Sequence, residues 1–111
     1  MDVRVRTVRK ITVIELEGEL DGKTSAEVQE KVLPELQPAG KVLLDMSKVP
    51  YMSSAGLRML LSIYRQVTAK KGNIVLSGVA EEIRDTMSVT GFLRFFVIHD
   101  TVEKGVKALE E

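Results

Sequence analysis

The chain has 111 residues, and its sixteen basic and sixteen acidic side chains give a formal net charge of zero at pH 7. Neither sign forms a run of five or more, so we expect neither nucleic acid nor a membrane surface as a partner, because both need a basic footprint. The absence of cysteine excludes disulfides, thiol chemistry and cysteine-ligated metals. A chain of this length has room for one domain, residues 1–111.

The first residues alternate apolar and charged side chains and lack the continuous apolar run of a signal peptide. No segment approaches the roughly 20 apolar residues that a membrane-spanning helix needs. We therefore expect a soluble, cytoplasmic protein. The same alternation, continued by apolar residues over 11–16, predicts an N-terminal β-hairpin with its turn near Arg9 and Lys10.

The first helix is predicted from a capping-box pattern. Thr24 is followed three residues later by Glu27, and in such a box each side chain satisfies the backbone N–H near the other. The helix is therefore expected to begin after Thr24. Pro34 lies within its apolar pattern and is expected to kink or end it early.

A central strand and a long helix follow. Residues 40–46 form a short apolar run bounded by turn residues, which is typical of a strand covered on both faces, and residues 47–50 are expected to be a loop. From 54 to about 70 the apolar residues recur every three or four positions, which predicts a helix with one buried face formed by Leu57, Leu60, Leu61, Tyr64 and Val67.

The last third predicts a strand, a helix, a short strand and a final helix: residues 73–77, residues 80–88 stopped by Gly91, residues 97–98, and a helix starting at Asp100 or Thr101. The predicted order is ββαβαβαβα. Crossovers from strand to helix to strand imply an α/β fold with a mixed β-sheet, parallel central strands, the hairpin at one edge and about four helices.

Two serines stand where a polar loop meets the long helix. The first N–H groups of a helix have no partner within it, and the helix start carries about half a positive charge, so an oxygen or a phosphate is stabilised there. One of Ser53 and Ser54 is expected to be the N-cap. The hydroxyl of Ser54 is the candidate acceptor of a phosphate, and nothing prevents the two roles from coexisting.

Two aspartates follow predicted strands. Because the carboxyl ends of parallel strands meet at one edge of a sheet, Asp21 and Asp45 are expected to share a rim with Ser54. For each aspartate the alternative is a turn residue that binds its own backbone. Two carboxylates of unknown separation do not define a magnesium site, and no phosphate-binding glycine loop is present, so no cofactor is expected.

The outer side of the long helix is a candidate docking patch. At about 100° per residue, Met59 is predicted to project nearly opposite the buried face, with Ile63 at its flank. Beside Ser54, an exposed Met59 with Ile63 and Arg58 would suit a protein partner. The alternative is an isolated surface methionine without a function.

His99 is the only histidine, and a serine hydrolase would need it as the base for Ser54. The nucleophile-elbow pattern has glycine two residues on either side of the serine, and here Met52 takes the first of these positions. We therefore expect no enzymatic activity, and His99 is expected to be a loop residue near a helix start.

Four segments in this order closely resemble the STAS domain of bacterial anti-sigma factor antagonists: Gly18-Glu19-Leu20-Asp21, residues 42–47, residues 49–57 with the Ser-Ala-Gly-Leu block, and residues 98–103. The resemblance covers nearly the whole chain. It implies a protein that binds a serine-kinase anti-sigma factor and is inactivated when the kinase phosphorylates a serine at the start of the second helix. A PP2C-type phosphatase restores such proteins.

Ser54 matches that serine. The family often has an aspartate just before it, where this chain has Ser53, which leaves Ser53 as an alternative acceptor. The resemblance implies an acidic rim seen by the kinase and a partner contact around the helix start, formed by Asp21, Asp45, Ser53, Gly56, Arg58, Met59 and Ile63. A monomer is expected. The alternative function is a STAS accessory subunit of a transport or signalling complex, which binds its partner without phosphorylation.

Overall fold

Five strands form one mixed sheet in the computed structural model, which describes all 111 residues. The strands are β1 (Asp2–Val8), β2 (Ile11–Glu17), β3 (Lys41–Lys48), β4 (Asn73–Ser77) and β5 (Val97–His99). They lie in the sheet in chain order; β1 and β2 are antiparallel, and every other neighbouring pair is parallel. The predicted mixed sheet with the hairpin at one edge is confirmed.

Four helices cover the sheet: α1 (Gly22–Val32), α2 (Ser54–Ala69), α3 (Glu81–Val89) and α4 (Val102–Glu110). Two short 3-10 turns, Leu33–Glu35 and Phe92–Phe95, follow α1 and α3. None of the helices combines the length and the apolar character needed to cross a bilayer. The predicted order ββαβαβαβα is confirmed.

The sheet separates two hydrophobic cores. A cluster of 21 buried residues lies between the sheet and α1, α2 and α3, and a cluster of 6 lies between the sheet and α4. Side chains alternate along a strand, so Val42 and Leu44 belong to the larger cluster while Leu43, between them, belongs to the smaller one. β3 is therefore covered on both faces, which explains its continuous apolar run.

Helix α1 begins three residues earlier than the capping-box pattern predicted. Its N-cap is Asp21, whose carboxylate accepts hydrogen bonds from the backbone N–H groups of Lys23 at 3.0 Å and Thr24 at 2.9 Å. The Thr24 hydroxyl is the reciprocal half of the box and accepts from the Asp21 N–H at 2.9 Å. The prediction of Thr24 as N-cap was wrong because an aspartate stood three residues before it. The early end at Pro34 is confirmed, since α1 stops at Val32.

Two other boundaries differ from the predictions. β3 continues to Lys48, because Lys48 pairs with Glu17 of β2 across an irregularity in the register. His99 is the last residue of β5, paired with Ser77, and is not a loop residue as predicted. The hairpin turn falls on Arg9 and Lys10 as predicted, both with positive φ.

Candidate functional site

The start of α2 assigns different positions to its two serines. Ser53 is the N-cap, and its Oγ accepts a long hydrogen bond of 3.4 Å from the Gly56 N–H. Ser54 is the first residue of the helix and is exposed. Its hydroxyl takes part in no hydrogen bond within the chain and is free to react. The role of Ser54 as a phosphate acceptor stays a prediction.

The loops before α1 and α2 are bonded to each other, which holds this helix start in place. The Leu20 N–H donates to the Tyr51 carbonyl at 2.9 Å, and the Ser53 N–H donates to the Leu20 carbonyl at 2.8 Å. The two loops also form an isolated parallel bridge between Leu20 and Met52. As a result the N-termini of α1 and α2 are neighbours: a Cβ on Gly22 would lie 4.0 Å from the Cβ of Ala55.

The electrostatics of the α2 start suit an anion. The first turn contains no acidic residue, so no carboxylate competes for its unpaired N–H groups. The 16-residue helix directs the positive end of its dipole at Ser54. The adjacent N-terminus of α1 adds a second positive helix end, although Asp21 partly offsets it.

Gly56, which was predicted to lie at the partner contact, is inside the fold. It is buried, and a Cβ there would lie 2.5 Å from the Cγ of Met52 and 3.1 Å from the Cβ of Leu20. The first distance is far below ordinary van der Waals contact, and the second is tighter than most such contacts. Gly56 is therefore the point where α2 packs directly on the two bonded loops, and it supports the site from beneath.

The predicted docking patch of Met59 and Ile63 is also wrong. Met59 is 4% exposed and Ile63 is fully buried, and both belong to the larger core. The prediction centred the buried face toward Leu61 and Tyr64, which are only partly buried. The observed face is centred on Gly56, Leu60, Ile63 and Val67, and because α1 packs beside α2 it extends to Met59.

Asp21 lies on the same rim as Ser54, since it precedes Gly22 at the junction of the two helices. The Thr24 backbone N–H, together with the Thr24 hydroxyl and the Lys23 N–H, holds the pKa of this carboxyl below its usual range. The carboxylate is exposed but already bonded to its own backbone. This is the alternative that the sequence left open for Asp21.

Asp45 does not share that rim, and this prediction was wrong. It lies two residues after Leu43 on β3 and so faces α4 as Leu43 does, on the other side of the sheet from Ser54. Asp45 is 7% exposed, and its Oδ1 accepts from the Ser47 N–H at 3.1 Å, as the turn alternative predicted. It lines a small cavity at the start of α4 with Ser77 and Thr101.

His99 does not provide a base for Ser54. It lies beside Ser77 in the sheet register, so its side chain also faces α4. Its Nε2 is buried without a hydrogen-bond partner. In this structure no group of three or more histidine, cysteine, aspartate or glutamate side chains is placed to hold a metal ion.

Two exposed residues complete the rim. Arg58 lies one turn after Ser54, is exposed as predicted, and forms no ion pair within the chain. Tyr51 is 52% exposed and lines a notch of about 150 Å³ with Leu57 of α2 and Ile83 of α3. The sequence-based prediction did not include Tyr51; an aromatic residue two positions before Ser53 was the signal, because tyrosines are frequent in protein interfaces.

Comparisons with known proteins agree on one family. A model of the STAS domain matches residues 2–105. A putative anti-sigma factor antagonist, BtrV of Bordetella bronchiseptica, is 31% identical over 70 residues, which are 63% of this chain and 60% of that protein. The anti-sigma F factor antagonist of Paenibacillus polymyxa is 22% identical over 99% of this chain and 96% of its own length.

Solved structures show the same fold. A putative anti-sigma factor antagonist from Thermotoga maritima superposes with a TM-score of 0.90 at 20% identity, covering 98% of this chain and 95% of that one. The phosphorylated form of the Bacillus cell fate determinant SpoIIAA gives a TM-score of 0.73 at 19% identity, covering 96% of this chain and 98% of that one. At such identities the likeness concerns the fold alone.

Proposed function

The chain belongs to the STAS domain family, and from that membership we propose that it is an anti-sigma factor antagonist that binds a serine-kinase anti-sigma factor and is switched off by phosphorylation of Ser54. The observation that carries this proposal is the exposed, unbonded hydroxyl of Ser54 at an acid-free helix start. The names of the relatives support the class of partner.

The proposed switch transfers one phosphoryl group. The Ser54 Oγ attacks the γ-phosphorus of ATP held by the kinase; the new O–P bond forms as the bond to ADP breaks, and a base of the kinase takes the hydroxyl proton. A PP2C-type phosphatase hydrolyses the phosphoserine and restores the hydroxyl. ATP and its metal belong to the kinase, so this chain needs no cofactor of its own.

The free-energy effects of a phosphate on Ser54 indicate that phosphorylation changes partner binding and leaves the domain folded. The phosphate adds about −1.5 to −2 charges at pH 7, and a helix start stabilises a negative charge by about 0.3–1 kcal/mol. The domain therefore stays folded. Burying the same anion against an acidic or apolar partner surface costs about 2–5 kcal/mol, which lowers affinity at least tenfold.

The partner surface of this proposal is the exposed rim around α2. It consists of the exposed residues Asp21, Tyr51, Ser54 and Arg58 and the partly buried Ser53. Buried residues beneath the rim hold it in shape. In this proposal the protein acts as a monomer in the cytoplasm.

The test is incubation with ATP and a serine-kinase anti-sigma factor of the same organism, with the modified residue located by mass spectrometry. We expect phosphate on Ser54 alone. Ser54→Ala should abolish the modification and stay folded, while the matched control Ser53→Ala should still be phosphorylated and lose about 0.5–1 kcal/mol of stability with its cap. Phosphate on Ser53, or on neither serine, would contradict the proposal.

A second candidate function is an accessory subunit of a transport or signalling complex that binds without phosphorylation. Ser53 favours it, because it stands where the family often has an aspartate. Ser54→Asp separates the two functions. A loss of partner binding supports the phosphorylation switch, and retained binding supports the accessory subunit.

A further inference from the structure

A groove of about 270 Å³ lies between the N-terminal halves of α1 and α2, next to Ser54. Ser25 and Gln29 of α1 form one side, and Ala55, Arg58 and Met59 of α2 form the other. Arg58 is the only charged residue that lines it. The positive end of α2 has no acidic residue in its first turn, whereas the positive end of α1 is partly offset by its N-cap, Asp21.

A buried hydroxyl in this groove lacks a partner. Ser25 is 5% exposed, and its Oγ forms no hydrogen bond. Buried polar groups are nearly always bonded, because an unpaired one destabilises the fold. The Ser25 Oγ is closed to solvent in the free protein, so it gains a partner only when a bound ligand opens the groove around it.

Arg58 is equally without a counter-ion. Its side chain is exposed and takes part in none of the ion pairs of the structure. The acid on the rim, Asp21, already accepts from the N–H groups of Lys23 and Thr24. The charge of the groove is thus positive, and its complement is a carboxylate.

Resting on the proposed function, we propose that this groove receives an acidic side chain of the kinase partner, bound by Arg58 and Ser25, and that phosphate on Ser54 draws Arg58 away from it. Ser54 and Arg58 are four residues apart on one helix, which places their Cβ atoms about 6 Å apart. A phosphate on Ser54 offers three acceptor oxygens to the guanidinium. Phosphorylation thereby removes Arg58 from the partner's carboxylate and places a second negative charge next to the position of that carboxylate.

The first test measures partner affinity by calorimetry. Arg58→Gln in the unmodified protein should bind the kinase about 5- to 30-fold more weakly. The matched control Arg65→Gln, an exposed arginine two turns further along α2, should bind within about twofold of wild type. Wild-type affinity for Arg58→Gln would overturn the proposal.

Ser25→Ala separates recognition from folding. Because the Ser25 hydroxyl has no partner in the free protein, its removal should leave the unfolding midpoint unchanged or higher. The same variant should bind the kinase more weakly. Unchanged affinity would remove Ser25 from the proposed site.

The second test needs no kinase. Phosphoserine is inserted at position 54 during synthesis, and the second pKa of its phosphate is measured by phosphorus NMR. Pairing with Arg58 should lower that pKa in wild type and in Arg65→Gln by about 0.3 pH units relative to Arg58→Gln. Equal values in all three proteins would overturn the capture of Arg58. The two proposals can fail separately. If the phosphate pKa shifts as expected but the kinase does not phosphorylate Ser54, the ion pair with Arg58 is supported and the proposed function is contradicted.

Discussion

At the residue scale, neighbouring residues at the start of α2 have different roles: some stabilise the fold, and one exposes its hydroxyl to solvent. Ser53 turns inward to cap the helix, Ser54 keeps a free hydroxyl, and Gly56 brings the helix against the loops. Each role follows from position within one helical turn. A change at one of these residues should therefore affect either stability or modification, and not both.

Gly56→Ala tests the packing role. Its added methyl group would collide with Met52 and Leu20, so we expect a loss of about 1–3 kcal/mol in the free energy of unfolding, measured by denaturant titration. Gly22→Ala is the matched control, because its new Cβ meets only Ala55 at an ordinary 4.0 Å. The control should be neutral or stabilising. Equal stability of the two variants would contradict the packing role.

At the element scale, α1 shows how a cap both starts a helix and shapes the site. Asp21 and Thr24 form a reciprocal box, and the Thr24 hydroxyl also donates to the Glu19 carbonyl at 2.7 Å. These bonds fix the loop that carries Leu20, and Leu20 in turn bonds the loop before α2. The α1 cap therefore contributes to the position of Ser54.

The α1 cap should make stability depend on pH. Because the pKa of Asp21 is lowered in the folded state, its contribution is complete above the unfolded pKa of about 4 and is lost as pH falls through the lower folded value. Asp21→Ala should therefore lower the Tm by a few degrees near about pH 6, and by less below about pH 4.

Calorimetry across this pH range is the measurement. Asp85→Ala is the control, since that aspartate is exposed on α3 and makes no hydrogen bond or ion pair. Its Tm should follow wild type throughout. A difference between wild type and Asp21→Ala that stays constant down to about pH 2 would contradict the lowered pKa.

At the scale of the whole molecule, the sheet separates the proposed partner surface from the α4 face. Asp45, Ser77 and His99 are aligned across β3, β4 and β5 on that far face. Val106 and Leu109 of α4 close the smaller core beside them. Stability and partner recognition should therefore respond separately to changes on the two faces.

Leu109→Ala tests this separation. Leu109 is 7% exposed in the smaller core, so its truncation should lower the free energy of unfolding by about 2–4 kcal/mol. The affinity for the kinase, measured where the variant is folded, should not change. Lys107→Ala, on the exposed side of α4, is the control and should alter neither quantity. Weakened binding by folded Leu109→Ala would show that the faces are coupled.

Local patterns were sufficient for much of the architecture. Alternation in the hairpin, the apolar run of β3 and the spacing of α2 predicted element types and their order, because these signals lie within a few residues of one another. The helix start at Ser54 was predicted for the same reason. The α1 start was missed by three residues, since Asp21 and Thr24 are both good N-caps and the pattern alone did not choose between them.

The sequence by itself determined the element order, the mixed sheet and a serine at a helix start, since each depends on neighbours along the chain. Only the tertiary structure decided which side each residue faces. β3 is apolar on both faces, so its pattern did not show that Asp45 points toward α4. α2 gains a wide buried face from α1 as well as from the sheet, so Met59, Ile63 and Gly56 lie inside. The side that a residue faces is set by contacts between elements that are distant in sequence, and a local sequence pattern carries no information about such contacts.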